Sequence, residues 1–510
     1  MRDPMYDVFL SFSGVDRSSG RELAEELRVT HGLRVFFDEH SIETFSGIND
    51  TILDGLRCSR SLVAYYSEKY AARVACRHEL MMAFLAGQRE GDGCKRIMVI
   101  NPEQTEEHLR PIELADAKYA LPGTDVQALA QLVAKRAASL EGTIGATAPS
   151  FPGKWPVHRS KHLKNFAGRY RELWDLHSAL HATGFPLQAD TIGSPAAAVS
   201  GLPGAGKTAL ATAYAWRFAA AFPGGVEWLS LAGAPDATPH ERYLGELRRI
   251  AQARKLHDVP DADLVERLCD NEQSSLWIID DIPPDAGTDV LELLPLPTGT
   301  HTRTILISEV DQFRDTLPVV RVGPLPAEDA TTLLDVYREP DDDQDRAARD
   351  HLIRRLGHNA GALTAMGDYL RDRQGLSSYV SFEDELAALP EVAEAVFAHV
   401  HPVLDHMTTI ESLLLRVANE SGTTLPAAAL RKELPDISPS ELGNALKSLL
   451  HRFVASREGT EWRLDPYVVH AASTPRSCSG DVVRRTSQPL TAIHSFAVLA
   501  HRLRAARSLR

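Results

Sequence analysis

The densest chemistry in the chain lies in Gly201-Leu202-Pro203-Gly204-Ala205-Gly206-Lys207-Thr208, which satisfies the pattern GxxxxGK(S/T). Glycines let successive backbone N–H groups curl around phosphate oxygens, and the start of a following helix adds positive potential. In such a loop Lys207 reaches the terminal phosphates and the Thr208 hydroxyl ligates Mg²⁺. An acidic partner is expected at the end of a neighbouring buried strand, and Leu276-Trp277-Ile278-Ile279-Asp280-Asp281 supplies one. Its apolar run reads as a strand buried on both faces that delivers two carboxylates to its C-terminal edge. Asp280 then holds Mg²⁺ through water, and Asp281 polarises an attacking water. The cofactor expected is ATP or ADP with Mg.

The elements that must position this loop are legible on both sides of it. The small apolar strand Ala196 to Ser200 precedes it, and a helix of strong formers, Ala209 to Phe222, follows. An α/β unit runs from about Phe166 to Leu317, after which the periodicity turns wholly helical through Leu333, Leu356 and Leu363. Ile410 to Val417, Ala427 to Leu434 and Leu442 to Leu450 read as short helices. Phe453 to Ser456, the turn Glu458-Gly459, and Trp462 to Leu464 read as a β-hairpin, so the segment is expected to be a winged helix. Arg431, Lys432, Glu433, Asp436, Glu441 and Lys447 give it mixed charge rather than a basic stripe, which favours intrachain packing over reading DNA.

Upstream, strands Tyr6 to Phe12, Arg34 to Phe37, Ser61 to Tyr65 and Arg96 to Ile100 alternate with helices through Leu23 and Leu27, from Ile48 to Leu56, and through Leu80, Met81 and Phe84. A last helix, Val126 to Leu140, closes a unit with a parallel sheet. Gly142 to Trp155, rich in Gly, Pro and Ala, reads as a linker. The expected domains are 1–140, a linker 141–160, a nucleotide-binding domain 161–320, a helical subdomain 321–400, a winged-helix subdomain 401–475 and an unstructured basic tail 476–510. The tail carries seven arginines against one acid, Asp481, and reads as the stub of a longer chain or as out-of-frame sequence.

A length of 510 residues, 44% of them hydrophobic, is enough for several cores. No apolar run reaches the roughly 18 residues that span a bilayer, and MRDPMYDVFLSFSG lacks the pattern of a signal peptide, so a cytoplasmic location is expected. Five cysteines without metal spacing read as reduced thiols. A net charge of −14 opposes nucleic acid as a default partner.

Residues 166–472 resemble the NB-ARC class of signal-transduction ATPases, the switch module of plant resistance proteins and apoptosome scaffolds. Phe166-Ala167-Gly168-Arg169-Tyr170-Arg171-Glu172-Leu173 is similar to the opening motif whose backbone holds the adenine, which implies nucleotide contacts at Phe166 and Arg169. Phe222 to Leu229 is similar to the strand after the P-loop helix. Leu356 to Leu363 resembles the helix start at which a proline approaches the nucleotide, with Gly361 in place of that proline. Glu309 and Val310 stand where the family's phosphate-sensing arginine is expected. The histidine that holds the ADP β-phosphate falls near Leu464-Asp465-Pro466, where an aspartate sits. An ionised aspartate cannot donate to phosphate, so slow hydrolysis and a clamp-like nucleotide are expected.

Asp7 to Gly14, Val35 to Glu39, Ser59 to Val63, and Tyr70 with Cys76-Arg77-His78-Glu79-Leu80 stand in the order of the landmarks of a TIR domain, which residues 6–140 resemble. Ala75 replaces a common tryptophan, and Ser41 to Asp50 corresponds to the BB loop. The resemblance implies a flavodoxin-like fold, cleavage of NAD⁺ with Glu79 as the catalytic carboxylate, and NAD contacts from Phe12, Ser13, Gly14, Asp38 and Phe45. It also implies that TIR domains associate before the pocket is complete. Cys76 is a poorer nucleophile, since spacing shows no pairing with His78. The fold class expected is α/β: an N-terminal flavodoxin-like domain, a P-loop α/β domain, then all-helical and winged-helix subdomains. The function expected is an ATP/ADP-gated signalling protein of innate-immunity or antiphage type that self-associates on an unspecified trigger, away from membranes. The alternative is a scaffold whose TIR domain binds without catalysis.

Overall fold

A computed structural model describes residues 5–37, 48–111, 113–114, 120, 123–146, 155, 163, 165–181, 196–233, 237–256, 258–270, 272–284, 296–297, 301–373 and 378–474. Asp38, Phe45, most of the expected BB loop and linker, and the whole basic tail lie outside the described residues.

The first unit is a parallel sheet of β1 (Tyr6–Phe12), β2 (Val35–Phe36), β3 (Ser59–Tyr65) and β4 (Ile97–Ile100) in the order β2-β1-β3-β4. Side chains alternate across a strand, and the two faces of β1 bury different sets. Val8 and Leu10 pack with Leu23 and Leu27 of α1 (Arg17–Val29) and Val133 of α4 (Val126–Ala138). Phe9 packs on the other face with Leu56 of α2 (Ile48–Arg57) and Leu80 and Phe84 of α3 (Val74–Arg89).

The second unit places β5 (Ala196–Ser200), β6 (Gly225–Ser230), β7 (Ser275–Ile282), β8 (Thr302–Ser308) and β9 (Val319–Arg321) in the order β6-β7-β8-β5-β9, all parallel. The acidic strand β7 is therefore not the neighbour of the loop-bearing strand β5, which corrects the adjacency expected above: β8 is inserted between them. Asp280 still reaches the loop across β8, its Oδ1 3.3 Å from Thr208 Oγ1, while β7 is irregular between Ile279 and Ile282 and Asp281, at φ 58°, turns instead to Ser230 of β6. One face of the sheet is covered by α5 (Tyr170–His181) and α6 (Lys207–Arg217), the other by α7 (Pro239–Ala253) and α8 (Leu264–Cys269).

A bundle follows: α9 (Ala327–Asp335), α10 (Asp343–Arg355), α11 (Ala360–Asp372), α12 (Tyr379–Ala388), α13 (Pro390–Phe397) and the short α14 (His401–Asp405). Helices α15 (Thr409–Ser421), α16 (Ala427–Glu433) and α17 (Pro439–His451) are interleaved with an antiparallel sheet, β10-β12-β11, in which β10 (Thr424–Pro426) lies between α15 and α16, and β11 (Ala455–Glu458) and β12 (Glu461–Leu464) follow α17. Strand β10 and a closing helix, α18 (Pro466–Ser473), are additions to the three helices and hairpin read from the sequence. Bundle and winged helix share one continuous core.

The first two units also share a core. Phe84 of α3 meets Trp174 of α5 edge-on at 5.2 Å and tilts toward Phe218 at 6.4 Å, while His177 stacks on Phe218 at 4.5 Å. His177 Nε2 lies 2.8 Å from Glu113 Oε1 across the same junction. Removing the Phe84 ring leaves a cavity between two modules, so Phe84→Ala is expected to destabilise the full chain by about 3–5 kcal/mol. Denaturant unfolding measures this, and a loss below about 1 kcal/mol would show that the junction is not part of the cooperative core.

Candidate functional site

The glycine-rich loop follows β5 and closes on the N-terminus of α6. Gly204 and Gly206 sit at φ 76° and 98°, backbone that side chains avoid, which lets the loop turn tightly onto the start of α6. The Lys207 ammonium is buried and donates to the carbonyls of Gly201 at 2.9 Å and Leu202 at 3.1 Å. Burial lowers its proton affinity, and the carboxylates of Glu309, Asp280 and Asp281 work in the opposite direction. Thr208 Oγ1 donates to Asp280 Oδ1 at 3.3 Å, while Asp281 is held by Ser230 Oγ at 2.6 Å. A cavity of 770 Å³ opens beside them, within the range of about 300–1,000 Å³ usual for small-molecule sites. Phe166, Arg169, Lys207, Thr208, Asp280 and Asp281 line it.

Arg169 faces the cavity only in part. At φ 57° its buried guanidinium turns back to the carbonyls of Ala205 at 3.0 Å and Gly323 at 2.7 Å and to Glu172 at 2.7 Å, bracing the loop from behind. The Arg217 guanidinium lies 5.2 Å over the Phe166 ring. From the helical bundle, Asn359 Nδ2 donates to Pro203 O at 3.1 Å and the Gly361 N–H donates to Gly204 O at 2.7 Å. Sequence reasoning missed Ser230, Asn359 and the cavity-lining His399; of these, only Asn359, as an N-cap before a helix, carried a local signal.

The thiol and carboxylate of the first unit are placed differently from each other. Glu79, in the second turn of α3, is buried, and Ser11 Oγ donates to its Oε2 at 2.5 Å. Ser11 is also bonded to the Tyr70 hydroxyl at 2.8 Å. These groups lie at the carboxyl end of β1, beside the point where the order β2-β1-β3-β4 reverses direction, the usual ligand crevice of an open parallel sheet. Phe12 stacks on Phe37 at 5.0 Å, Ser13 is buried and Gly14 is exposed on the same edge. Burial and the Glu79 charge push the Cys76 thiol up to about 12, and its Sγ bonds to Phe12 O at 3.3 Å, so a thiolate nucleophile is disfavoured. Ala75, where a tryptophan is common, is exposed. Among the described residues no group of three or more His, Cys, Asp or Glu side chains could hold a metal ion. No described helix is long and apolar enough to cross a membrane.

The chain therefore holds two α/β units, one with a carboxylate at its switch point and one with a glycine-rich phosphate-type loop. Residues 8–133 match the family model described as TIR domain. Residues 8–133 thus form a TIR-type unit, and it is followed by an α/β unit that carries the GxxxxGK(S/T) loop. No curated protein matches the chain. Among solved structures, the Walker-type ATPase of Pyrococcus abyssi is 16% identical with a TM-score of 0.44, covering 60% of this chain and 96% of that one. A STAND protein with a tetratricopeptide repeat sensor from Pyrococcus horikoshii is 15% identical with a TM-score of 0.31, covering 68% and 46%. A metazoan TIR-STING receptor from C. gigas in complex with 2′,3′-cGAMP is 14% identical with a TM-score of 0.25, covering 40% and 58%.

Asp465, the aspartate at the expected phosphate-binding position, is the half-buried N-cap of α18, accepting from the N–H groups of Tyr467 at 2.9 Å and Val468 at 3.4 Å. Burial raises its carboxyl from 3.8 to about 6. A folded value above the unfolded one means that the folded state binds more protons, so this group's contribution to stability falls as pH rises through about 6. The decline is roughly 3 kcal/mol. Asp465→Asn keeps an oxygen for the cap and is expected to remove that decline, as unfolding between about pH 4 and about pH 7 will show; parallel wild-type and variant curves would reject it.

Proposed function

We propose that the chain is a cytoplasmic, nucleotide-gated signalling protein of innate-immunity or antiphage type whose TIR domain hydrolyses NAD⁺ to nicotinamide and ADP-ribose-type products. The observation that carries this reading is Glu79, a buried carboxylate oriented by Ser11 at the switch point of the TIR sheet. Its substrate-side neighbours are proposed to be Phe12, Ser13 and Gly14, with Asp38 and Phe45 contributed by the loop beyond β2. In NAD⁺ cleavage the ribose C1′–N bond breaks and its electron pair passes to the pyridinium nitrogen. Nicotinamide therefore leaves neutral, without a general acid. Water adds to C1′ and releases one proton to solvent. Glu79 orients the ribose and stabilises the positive charge that develops on it, the work a single fixed anion does best in a water-poor site.

In the second module the residues present fit a magnesium nucleotide: a buried ammonium, a tight loop with glycines at positive φ, and hard oxygen donors on Thr208 and Asp280. Lys207 with the backbone of Gly201, Gly204 and Gly206 would hold the phosphates, Thr208 and Asp280 would hold Mg²⁺, and Phe166 and the backbone near Arg169 would hold the base. Bound there, the nucleotide supplies negative charge that ties loop, bundle and winged helix together.

The gate is supported by the junction between the modules. His78, the residue before Glu79, bonds through Nδ1 to the Tyr170 hydroxyl at 2.5 Å, and Tyr170 follows Arg169, the brace of the loop. While α3 is packed on α5, that face of the TIR domain is covered. Activation then uncovers it and permits self-association through the TIR and NB-ARC modules.

The test is to concentrate the full chain with NAD⁺ and assay nicotinamide. Glu79→Gln is expected to lose about 10²–10³-fold in rate. Equal rates remove Glu79 from the mechanism, and an inactive wild type even when cross-linked into clusters favours a non-catalytic scaffold. Separately, Lys207→Ala is expected to purify without ATP or ADP, and equal nucleotide content in variant and wild type would reject the loop's role.

A further inference from the structure

His399 lies in the turn between α13 and α14, where the helical bundle hands over to the winged helix. Its side chain is laid against the glycine-rich loop. A Cβ built on Gly361 would stand 2.6 Å from His399 Cδ2 and 2.9 Å from Nε2, and one built on Gly204 would stand 3.2 Å from His399 Cβ. Gly361 is the residue that replaces an expected proline, and the imidazole occupies the space that a side chain there would fill. The Gly361 N–H is itself bonded to Gly204 O at 2.7 Å, so the first turn of α11 and the ring of His399 close over the same end of the loop. The residue remains exposed on the cavity side, where it lines the site with Lys207 and Glu309.

We infer that His399 is a phosphate ligand of the nucleotide pocket, donating its ring N–H to the terminal phosphate of bound ADP or ATP. The inference rests on the P-loop reading above. The charged groups acting on the ring are the Lys207 ammonium of α6 and the Glu309 carboxylate after β8, and Asp280 and Asp281 act in turn on Lys207. Partial burial and then Lys207 hold the imidazole below its ordinary value, and Glu309 opposes them. A phosphate against the ring reverses that balance, so binding takes up a proton and forms a charge-assisted hydrogen bond.

The contact would also be read by the winged helix. Two to three residues before His399, Val396 O accepts the Tyr467 hydroxyl at 2.9 Å and the Phe397 ring packs on Tyr467 and His470 at 5.5 and 5.7 Å. Presence of the terminal phosphate is therefore passed to α18 through a segment whose two ends touch the loop and the winged helix.

The experiment is calorimetric titration of ADP into the full chain, nucleotide-stripped, and into His399→Gln and His399→Ala, in buffers of different ionisation enthalpy. The exposed side chain makes both variants foldable, and their unliganded melting points are expected to match wild type. ADP affinity is expected to fall about tenfold to a hundredfold in both. Wild type is expected to take up a proton on binding and to bind more tightly as pH falls below about 7, neither of which survives in His399→Gln. Variant affinities within about twofold of wild type, with the same proton uptake, would overturn the role of His399 and leave the pocket standing. A wild-type chain that binds no better than Lys207→Ala would instead overturn the pocket itself.

Discussion

Burying the Lys207 ammonium in a cavity wall is the constraint around which the second module is built. A buried cation without partners is costly, and here its protons go to the carbonyls of Gly201 and Leu202 while three carboxylates face it from the strand ends. Wrapping a loop tightly enough for this turns the next three carbonyls outward. They meet donors from two other parts of the chain: Pro203 O takes Asn359 and Gly204 O takes the Gly361 N–H, both at the start of α11, and Ala205 O takes Arg169. The loop is therefore completed only when the opening segment and the helical bundle have docked on it. A change in what the loop holds on its inner face must be felt by the donors on its outer face, because the same short backbone carries both sets of bonds.

The route to the TIR domain starts from one of those donors. Arg169 is followed by Tyr170, whose hydroxyl bonds to His78, and His78 precedes the buried Glu79. This polar thread runs beside an apolar seam of Phe84, Trp174 and Phe218. The seam supplies the affinity and the thread supplies direction, a division usual for interfaces in which aromatic burial dominates the energy and polar pairs fix the register. Burial also separates the roles of neighbouring groups in α3. Cys76 is kept as a neutral thiol tied to Phe12, whereas Glu79 accepts a hydroxyl proton from Ser11, so the helix offers one anion to the switch point and not a second nucleophile.

How much of this could be read in advance depended on whether a signal was local. Apolar runs such as Phe9-Leu10 and Trp277-Ile278-Ile279 alternate or persist over a few residues, and the strands appeared within a residue or two of where those runs stand. The glycine-rich loop was legible because backbone curvature has its own residue code. Strand order was not, since the insertion of β8 between β5 and β7 is a pairing decision made across residues far apart in the chain. Ser11 was hidden for a different reason: a serine at the end of a buried strand has no periodic signature, and only the arrival of Glu79 from α3 gives its hydroxyl a function. His399 combines both difficulties, being almost two hundred residues from the loop it covers and lying in a turn. Its trace in the sequence was indirect. Gly361 departs from the proline expected at that helix start, and a departure toward the smallest side chain marks a place where another group needs the room. The exception to a motif was thus as informative as the motif, because packing forces each lost atom at one position to be matched by an atom from elsewhere.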